Sequence, residues 1–384
     1  TLYEYIEEPS PYALFLLTGY AGTGKTFLLR TIADLAQRAG LRVELMASTG
    51  RAAKVLSAST GRPASTIHRT IYRASTQIQE EGGSFQLGQV SGATPTLFIV
   101  DEASMISGDT GEMTPFGSGN LLDDLLSYVW SADEAKLIFV GDTAQLPPVG
   151  TPLSDALNAE VLTSRYGLHV YGMELREVVR QKRGGILHNA TQLRELLDEY
   201  ADEDPEEILP IHLETEGWRG IFPVEGGTFI ETLDEAYRKY GEEECLVICP
   251  SNKLALECNH AIRSSVLFYE EEPVVRGERL IVARNNYHYT KRPDRSDFIA
   301  NGEIIEVQRI GRHYYEYGLH FADATIYLPD RDDSLDVRLL LTSLEDPTPQ
   351  RSQAERQRLF ELIAADYADI PSVTDRRKAI RRDP

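Results

Sequence analysis

The sequence has few residues of the kind that cross-link small proteins or hold structural metal ions. Three of its 384 residues are cysteines, Cys245, Cys249 and Cys258, and they stand in or beside the apolar run 246–248. Because no fourth ligand follows at a zinc spacing, we expect reduced, packed thiols rather than a metal site. A chain of this length, with 42% hydrophobic residues, buries substantial cores without such cross-links and suggests two or three domains.

Long apolar runs and a leader segment are also missing. No run approaches the roughly 18 apolar residues that a membrane-spanning helix needs. No basic stretch followed by an apolar one precedes the first strand-like run. We therefore expect a cytoplasmic protein that is not inserted in a membrane.

Positive charge is scarce as well. The chain carries 39 Lys and Arg against 60 Asp and Glu, a formal net charge of −21, and 8 of the basic residues are lysines. So acidic a chain repels nucleic acid on average, because like charges dominate the field around it. Any site for a polyanion therefore has to be locally basic.

Apolar strand-like runs alternate with helical periodicities over the first 180 residues. This alternation predicts the α/β class, with a parallel sheet covered by helices on both faces. The runs 26–39 and 121–130 place apolar residues at helical spacing and are predicted to pack on that sheet. The predicted strands are 12–18, 42–47, 96–100, 137–140 and 169–171.

Other segments interrupt or follow this alternation of strands and helices. Residues 73–95 contain an acidic, Gly-rich stretch that predicts a small inserted hairpin. A second α/β pattern starts near Cys245, with the apolar run 246–248 as its first strand. An all-β segment follows, in which Asn301 and Gly302 predict a hairpin turn and the composition suggests a small barrel or sheet.

The strongest chemical signal is the segment 19–26, Gly-Tyr-Ala-Gly-Thr-Gly-Lys-Thr. A strand precedes it and an amphipathic helix follows, so backbone amides and the helix amino terminus point at an anion. Lys25 is predicted to reach the terminal phosphates of a nucleotide and Thr26 to ligate magnesium. The predicted cofactor-binding residues are Gly22, Thr23, Gly24, Lys25 and Thr26.

Two adjacent carboxylates follow the third predicted strand. Asp101 is predicted to hold the magnesium ion and Glu102 to polarise the attacking water. In an acidic chain an Asp-Glu pair usually lies on the solvated surface. This pair follows a strand end in a chain with a phosphate-binding loop, and that position favours a role in the nucleotide site. The loop after the next strand carries Gln145, which is predicted to sense the γ-phosphate.

Together these segments resemble the motifs of superfamily 1 helicases. Three segments resemble motifs of the 5′→3′ branch of this superfamily, which contains RecD-like and Dda-like enzymes. They are the segment 19–26, Asp-Glu-Ala-Ser at 101–104 and Gly-Asp-x-x-Gln-Leu-Pro-Pro-Val at 141–149. Val-Val-Arg-Gln at 178–181 resembles a further motif of that family. The resemblance implies that Arg180 reaches the γ-phosphate from within the first motor domain, so the implied catalytic residues are Lys25, Asp101, Glu102, Gln145 and Arg180.

The resemblance also implies the domain organisation. It gives a P-loop, RecA-like parallel-sheet domain with a small hairpin insertion, then a partial second RecA-like domain with a small β-barrel-like insertion. The predicted segments are 1–190 for the first motor domain with a hairpin or pin at 73–95, 191–280 for the start of the second, 281–345 for the β insertion and 346–384 for a linker and helix.

Nucleic-acid contacts are implied at the same sheet edge. Residues 48–53 and 66–68 are similar to the family's single-strand contact motifs, where side chains and amides hold phosphates or sugars. His68 by itself is more typical of a structural histidine, and only the resemblance favours a contact. Phe85, expected at the tip of the insertion, is either a base-stacking pin or a hairpin anchor. The implied nucleic-acid-binding residues are Thr49, Arg51, Thr66, His68, Phe85 and Pro147.

Two features of the family are missing from the sequence. No glutamine motif stands upstream of Pro11, and no Thr-x-His-Lys-x-Gln-Gly segment or later arginine motif follows Asn301. We therefore expect a sequence cut at both ends. In this family the arginine of the missing motif completes the γ-phosphate site, and an arginine finger typically raises the rate of hydrolysis by about 10³–10⁵. We therefore expect the chain to bind nucleotide and to hydrolyse it poorly.

The predicted function is that of an ATP-dependent DNA helicase with ATP and Mg²⁺ as cofactors. It would translocate 5′→3′ on single-stranded DNA and separate strands at junctions of single- and double-stranded DNA, with repair or recombination proteins as partners. Two alternatives stay open. One is a nucleotide-gated subunit that binds single-stranded DNA with a silent motor, and the other is a P-loop NTPase that acts on RNA or protein.

Overall fold

The computed structural model describes two compact units of the chain. The first comprises residues 1–223 and 284–303, and the second comprises residues 224–283 and 304–384. Each unit has its own sheet and its own buried clusters. The described residues are 2–74, 85–108, 117–148, 151–178, 184–200, 211–269, 272–284, 286, 289, 299, 301–347, 353–372, 375–376 and 379–380, without positions 9, 11, 93, 152, 330 and 331.

The first unit is built on a six-stranded sheet in which all paired strands run parallel. The strands of this unit are, in chain order, β1 (Ala13–Gly19), β2 (Arg42–Ala47), β3 (Ala64–Thr66), β4 (Tyr72–Ala74), β5 (Phe85–Leu87), β6 (Thr96–Asp101), β7 (Ala135–Gly141) and β8 (His169–Leu175). The order across the sheet is β3-β2-β6-β7-β1-β8, and β4 pairs with β5 as a separate antiparallel hairpin.

Helices cover both faces of this sheet, as the sequence predicts. Along β1, Leu14 and Leu16 belong to one buried cluster, whereas Phe15 and Leu17 belong to the cluster on the opposite face. Successive side chains of a strand point to opposite faces, so a strand with two covered faces is apolar throughout. The helices are α1 (Leu2–Glu7), α2 (Lys25–Arg38), α3 (Gly50–Thr60), α4 (Ile67–Ile71), α5 (Leu121–Val129), α6 (Ala159–Ser164) and α7 (Gly185–Glu199).

The second unit combines helices with an antiparallel sheet of order β12-β11-β10-β9. A buried cluster of Val274, Val307, Ala322 and Leu341 packs against this sheet. None of the helices in the described part of the chain is both long and apolar enough to cross a bilayer. The elements are α8 (Phe229–Tyr240), α9 (Asn252–Ser265), β9 (Arg279–Ile281), β10 (Ile304–Glu316), β11 (Leu319–Leu328), β12 (Asp333–Leu340) and α10 (Gln353–Asp366).

The predicted α/β class and the predicted elements of the first unit are confirmed. Each predicted strand lies within a few residues of β1, β2, β6, β7 or β8, and the two predicted helices correspond to α2 and α5. The pairing of β4 with β5 confirms a hairpin at the predicted insertion. The three-residue edge strand β3 is too short to give a periodic signal, and it was not predicted.

Two predictions for the second half of the chain are wrong. The run 246–248 forms no strand, and Leu246 and Ile248 are 78% and 88% exposed, because no described strand lies beside it to pair with. Asn301 and Gly302 form a turn before β10. The tight turn between β10 and β11 is made instead by Tyr317 and Gly318, with φ angles of 51° and 76°. The segment boundaries at 190, 280 and 345 stay predictions.

Tyr5 of α1 fastens the start of the chain to the sheet, which generates a first prediction. Its buried hydroxyl donates to the Leu137 carbonyl oxygen at 2.7 Å and accepts from the Leu137 nitrogen at 2.6 Å. Tyr5→Phe leaves both backbone groups without this partner, so we expect a loss of about 1–3 kcal/mol in the free energy of unfolding, measured by urea denaturation. Tyr3→Phe, at a position 70% exposed, is the matched control. Equal stability of the two variants would contradict this role.

Candidate nucleotide-binding site

The parallel strands bring the predicted chemical residues to one edge of the sheet. β7 lies between β1 and β6, so the segments that follow these three strands are neighbours. The loop 19–25 follows β1, Asp101 ends β6 and Asp142 follows β7. The carboxyl edge of an open parallel sheet is where such folds bind their ligands.

The loop between β1 and α2 depends on glycine at defined positions. Gly22 and Gly24 have φ angles of 82° and 91°, a region that side chains with a Cβ rarely adopt. A Cβ on Gly19 would lie 2.6 Å from the Leu175 carbonyl oxygen of β8. A Cβ on Gly24 would meet nothing within 4 Å, so the loop is open on that side and has room for a ligand.

Thr23 and Lys25 fold back onto the start of the loop. The Thr23 hydroxyl donates to the Tyr20 carbonyl oxygen at 2.7 Å. The Lys25 ammonium donates to the carbonyl oxygens of Gly19 at 2.5 Å and Tyr20 at 3.1 Å. The loop leads directly into α2, and the first amide groups of a helix lack intrahelical acceptors and suit an anion, as in other phosphate-binding loops.

Lys25 shares its surroundings with three carboxylates. Burial lowers the pKa of the Lys25 ammonium, whereas Asp142, Glu102 and Asp101 oppose this shift. Screened charges more than about 10 Å apart interact little, so such coupling needs groups that lie close together. The structure therefore brings together Lys25, Asp101 and Glu102, which sequence analysis singled out, and adds Asp142, to which it assigned no role.

Asp101 is a buried carboxylate whose negative charge is only partly balanced by neighbouring groups. Burial raises the pKa of Asp101 to about 6, and the charge of Glu102 adds to this effect. The Glu102 N–H, 2.9 Å from Asp101 Oδ1, and the Lys25 ammonium oppose it. The Asp101 carboxylate and the hydroxyl of Thr26, the second residue of α2, are the hard oxygen ligands that Mg²⁺ prefers. These residues fit a magnesium–nucleotide complex.

Glu102 is held in an unusual backbone conformation. Its φ angle of 54° lies in the left-handed region, which costs a residue with a Cβ about 1–2 kcal/mol. Burial raises the pKa of the Glu102 carboxyl, Lys25 lowers it and Asp142 raises it. Strain of this kind concentrates at functional sites, where the surrounding structure holds one side chain in place.

The loop after β7 is tied to the acidic segment. The Ser104 hydroxyl donates to Gln145 Oε1 at 3.4 Å, and the Gln145 nitrogen donates to the Asp142 carbonyl oxygen at 3.2 Å. Asp142 is 3% exposed and its Oδ1 accepts from the Ala144 nitrogen at 3.0 Å. An aspartate directly after a buried strand is the signal that could have identified Asp142, once β7 is known to lie beside β1.

The threonines predicted to contact nucleic acid cap two helices. Thr49 Oγ1 accepts from the Ala52 nitrogen at 3.2 Å at the start of α3, and Thr66 Oγ1 accepts from the Arg69 nitrogen at 3.3 Å at the start of α4. Side-chain caps of this kind satisfy amide groups that the first helical turn leaves unpaired. Both helices therefore begin at the carboxyl edge of the sheet.

Strand register places these caps near the acidic pair. Ala47 of β2 pairs with Thr66 on one side and with Asp101 on the other. Two strand spacings, about 10 Å, therefore separate the backbones of Thr66 and Asp101. Arg51 is exposed, and His68 lies with its ring centroid 5.6 Å from that of Tyr72. Burial lowers the pKa of His68 and favours its neutral form.

Of the remaining predicted site residues, the structure describes Pro147 fully and Phe85 in part. Pro147 is half-buried in the loop after Asp142. Arg180 and the side chain of Phe85 lie outside the described residues. The backbone of Phe85 pairs with Ala74 at the start of β5, so the expectation that Phe85 stands at the tip of the hairpin is wrong. Phe85 begins a strand because its backbone finds a partner in β4.

The parallel sheet and its glycine-framed loop define a P-loop nucleotide-binding domain. A family model described as an AAA domain matches residues 8–209, which is more than half of the chain. The chain belongs to this AAA-domain family.

The proteins similar in sequence to this chain include a DNA helicase. An ATP-dependent RecD2 DNA helicase of Deinococcus radiodurans is 34% identical over 183 residues, which are 48% of this chain and 23% of that relative. An uncharacterized protein of Methanocaldococcus jannaschii is 35% identical over 155 residues, 37% of this chain and 12% of its own length. The resemblance to RecD-like superfamily 1 helicases is thereby confirmed, although the chain spans less than a quarter of either relative.

Solved structures show weaker likenesses. A Pif1 helicase of Candida albicans aligns over 88% of this chain and 77% of its own, with 18% identity and a TM-score of 0.36. A Bacteroides Pif1 in complex with ADP-AlF4 aligns over 87% and 72%, with 16% identity and a TM-score of 0.35.

The raised pKa of Asp101 generates a second prediction. Its ordinary value is 3.8 and its folded value is about 6, so the buried carboxylate destabilises the nucleotide-free fold as pH rises through this window. Asp101→Asn should stabilise the nucleotide-free protein by about 1–3 kcal/mol above pH 7, and the gain should vanish below about pH 4. Thermal unfolding across this pH range measures it, with the exposed Asp133→Asn as control. A gain independent of pH would contradict the assigned cause.

Proposed function

We propose that this chain is the ATP-binding motor part of a DNA helicase that translocates 5′→3′ on single-stranded DNA. The observation that carries the proposal is the placement of Lys25 beside Asp101, Glu102 and Asp142 at the carboxyl edge of a parallel sheet. The identity of 34% to a RecD2 DNA helicase over 183 residues supports the choice of DNA as the track.

The loop and the acidic pair would hold ATP with magnesium. The amides of residues 22–26 cradle the phosphates, and the Lys25 ammonium exchanges its bonds to two loop carbonyls for the terminal phosphates. Thr26 and Asp101 would hold Mg²⁺, which when bound neutralises charge on the transferring phosphoryl group. The bound ion would place positive charge beside Asp101, whose ionised form is disfavoured by burial.

Glu102 and Gln145 would prepare the attacking water. Burial raises the pKa of Glu102 and so makes its carboxylate a stronger base for the proton of that water. The left-handed backbone of Glu102 fixes the direction of the side chain. Gln145, which accepts from Ser104 two residues after Glu102, would link the phosphate end of the site to the loop that carries Pro147. Arg180 is proposed at the γ-phosphate from the family resemblance.

The DNA-facing side would use the caps and exposed groups of α3 and α4. Thr49 and Arg51 follow β2, the strand next to β6. Thr66 ends β3, which pairs with β2 on its other side, and His68 follows in α4. Hydroxyl, guanidinium and imidazole groups contact phosphates and sugars without reading bases, which suits a motor that moves along any sequence. Pro147 and Phe85 are proposed as further contacts, with Phe85 as either a stacking pin or a hairpin anchor.

A third prediction tests the nucleotide site itself. Lys25→Ala removes the ammonium that is expected to bind the terminal phosphates, so the affinity for ATP should fall at least tenfold, as charged hydrogen bonds of this kind contribute about 1.5–3 kcal/mol. Titration with a fluorescent ATP analogue in the presence of Mg²⁺ measures this. Lys239→Ala, at an exposed position of α8, is the matched control. Unchanged affinity in Lys25→Ala would remove the loop from the nucleotide site.

A fourth prediction separates the proposed motor from its rivals. Glu102→Gln should keep ATP binding and lower DNA-stimulated ATP turnover of the whole protein by about 10²–10⁴. The exposed Glu134→Gln serves as control. A protein that binds DNA without stimulated turnover would be a nucleotide-gated clamp, and stimulation by RNA alone would indicate a different track. Unwinding of duplexes with 5′ tails, but not 3′ tails, is the expected polarity.

A further inference from the structure

Helix α7 brings a second cation to the phosphate-binding loop. The guanidinium carbon of Arg194 lies 4.3 Å from the ring centroid of Tyr20, the residue that follows Gly19 in the loop. The Tyr20 hydroxyl donates to Asp198 Oδ2 at 3.3 Å, one helical turn further along α7. Residues four apart lie on the same face of a helix, so both contacts hold one face of α7 against the loop.

The donors of Arg194 stay available to an anion. Among the described residues, no carboxylate forms an ion pair with Arg194, in contrast to Arg176, which pairs with Glu174 at 2.8 Å. A guanidinium that stacks on an aromatic ring keeps its N–H groups in its own plane, where they match two oxygens of a phosphate. Arg194 is half-buried, so its direction is restricted.

Arg194 and Lys25 meet at the same residue of the loop. The Lys25 ammonium donates to the Tyr20 carbonyl oxygen at 3.1 Å, and the Arg194 guanidinium lies over the ring of the same tyrosine. In a phosphate-binding loop this lysine contacts the terminal phosphates, so a guanidinium close to it lies at the same end of a nucleotide. Two neighbouring cations repel each other until an anion binds both, and a triphosphate would remove that repulsion.

We propose that Arg194 binds the terminal phosphate of a bound nucleoside triphosphate, from within the same unit as the phosphate-binding loop. The inference rests on the nucleotide-binding function proposed above and extends it to a residue of α7. Tyr20 is then a positioning residue, because its ring supports the guanidinium and its hydroxyl is fixed by Asp198. The contact would distinguish a triphosphate from a diphosphate.

A fifth prediction tests this contact by comparing two nucleotides. In the 384-residue chain, Arg194→Ala should weaken the binding of a non-hydrolysable ATP analogue about tenfold, as expected for a lost charged hydrogen bond, and leave ADP binding within about twofold. Arg194→Lys should recover part of the loss. Arg38→Ala removes the same charge at the far end of the 14-residue helix α2, about 20 Å away, and should change neither affinity.

The outcomes distinguish this inference from the proposed function. If wild-type protein binds neither nucleotide, both fail. If it binds both and Arg194→Ala binds them equally well, only the role of Arg194 is refuted. An equal loss of affinity for both nucleotides would show a structural role instead. Should Arg194→Ala melt at a lower temperature than wild type, Arg194→Gln, which keeps a planar group on the Tyr20 ring, decides by the same comparison.

Discussion

The close parallel pairing of β1, β7 and β6 is the constraint on which the site depends. It forces the segments after three strands into one small volume, where Lys25, Asp101, Glu102 and Asp142 are all partly or fully withdrawn from water. Charges in such a place are stabilised mainly by each other. One ammonium group lies near three carboxylates. Burial raises the pKa of Asp101 to about 6, the charge of Glu102 adds to this effect, and Lys25 offsets only part of it.

An acidic chain can have a site for a polyanion because the charges close to the site matter more than the net charge. The net charge of −21 opposes ATP and DNA at long range, but salt screens that field over about 10 Å. Within the site, Lys25 and Arg194 supply positive charge at the phosphate-binding loop, and Thr26 with Asp101 suits a divalent cation. A magnesium nucleotide brings both signs of charge, which neither magnesium nor nucleotide does separately.

The same sheet edge connects the nucleotide site to the proposed DNA contacts. Ala47 of β2 stands in register between Asp101 and Thr66, so a change at the phosphate end needs to pass only one strand to reach the cap of α4. Backbone hydrogen bonds of a buried sheet deform little, because the interior is closely packed. The acidic pair and the cap of α4 are therefore linked through the backbone of one strand, β2.

The sequence by itself determined five of the six strands of the parallel sheet, the helices α2 and α5 and the residues of the phosphate-binding loop, because apolar periodicity and the preference of glycine for positive φ are local properties. Only the tertiary structure decided that Asp142 and Arg194 join Lys25, since strand order and helix docking arise from contacts between distant segments. The same reason explains the wrong predictions. The run 246–248 has the composition of a strand but no neighbour, and the β10–β11 turn falls at Tyr317 and Gly318 because strand pairing set the register.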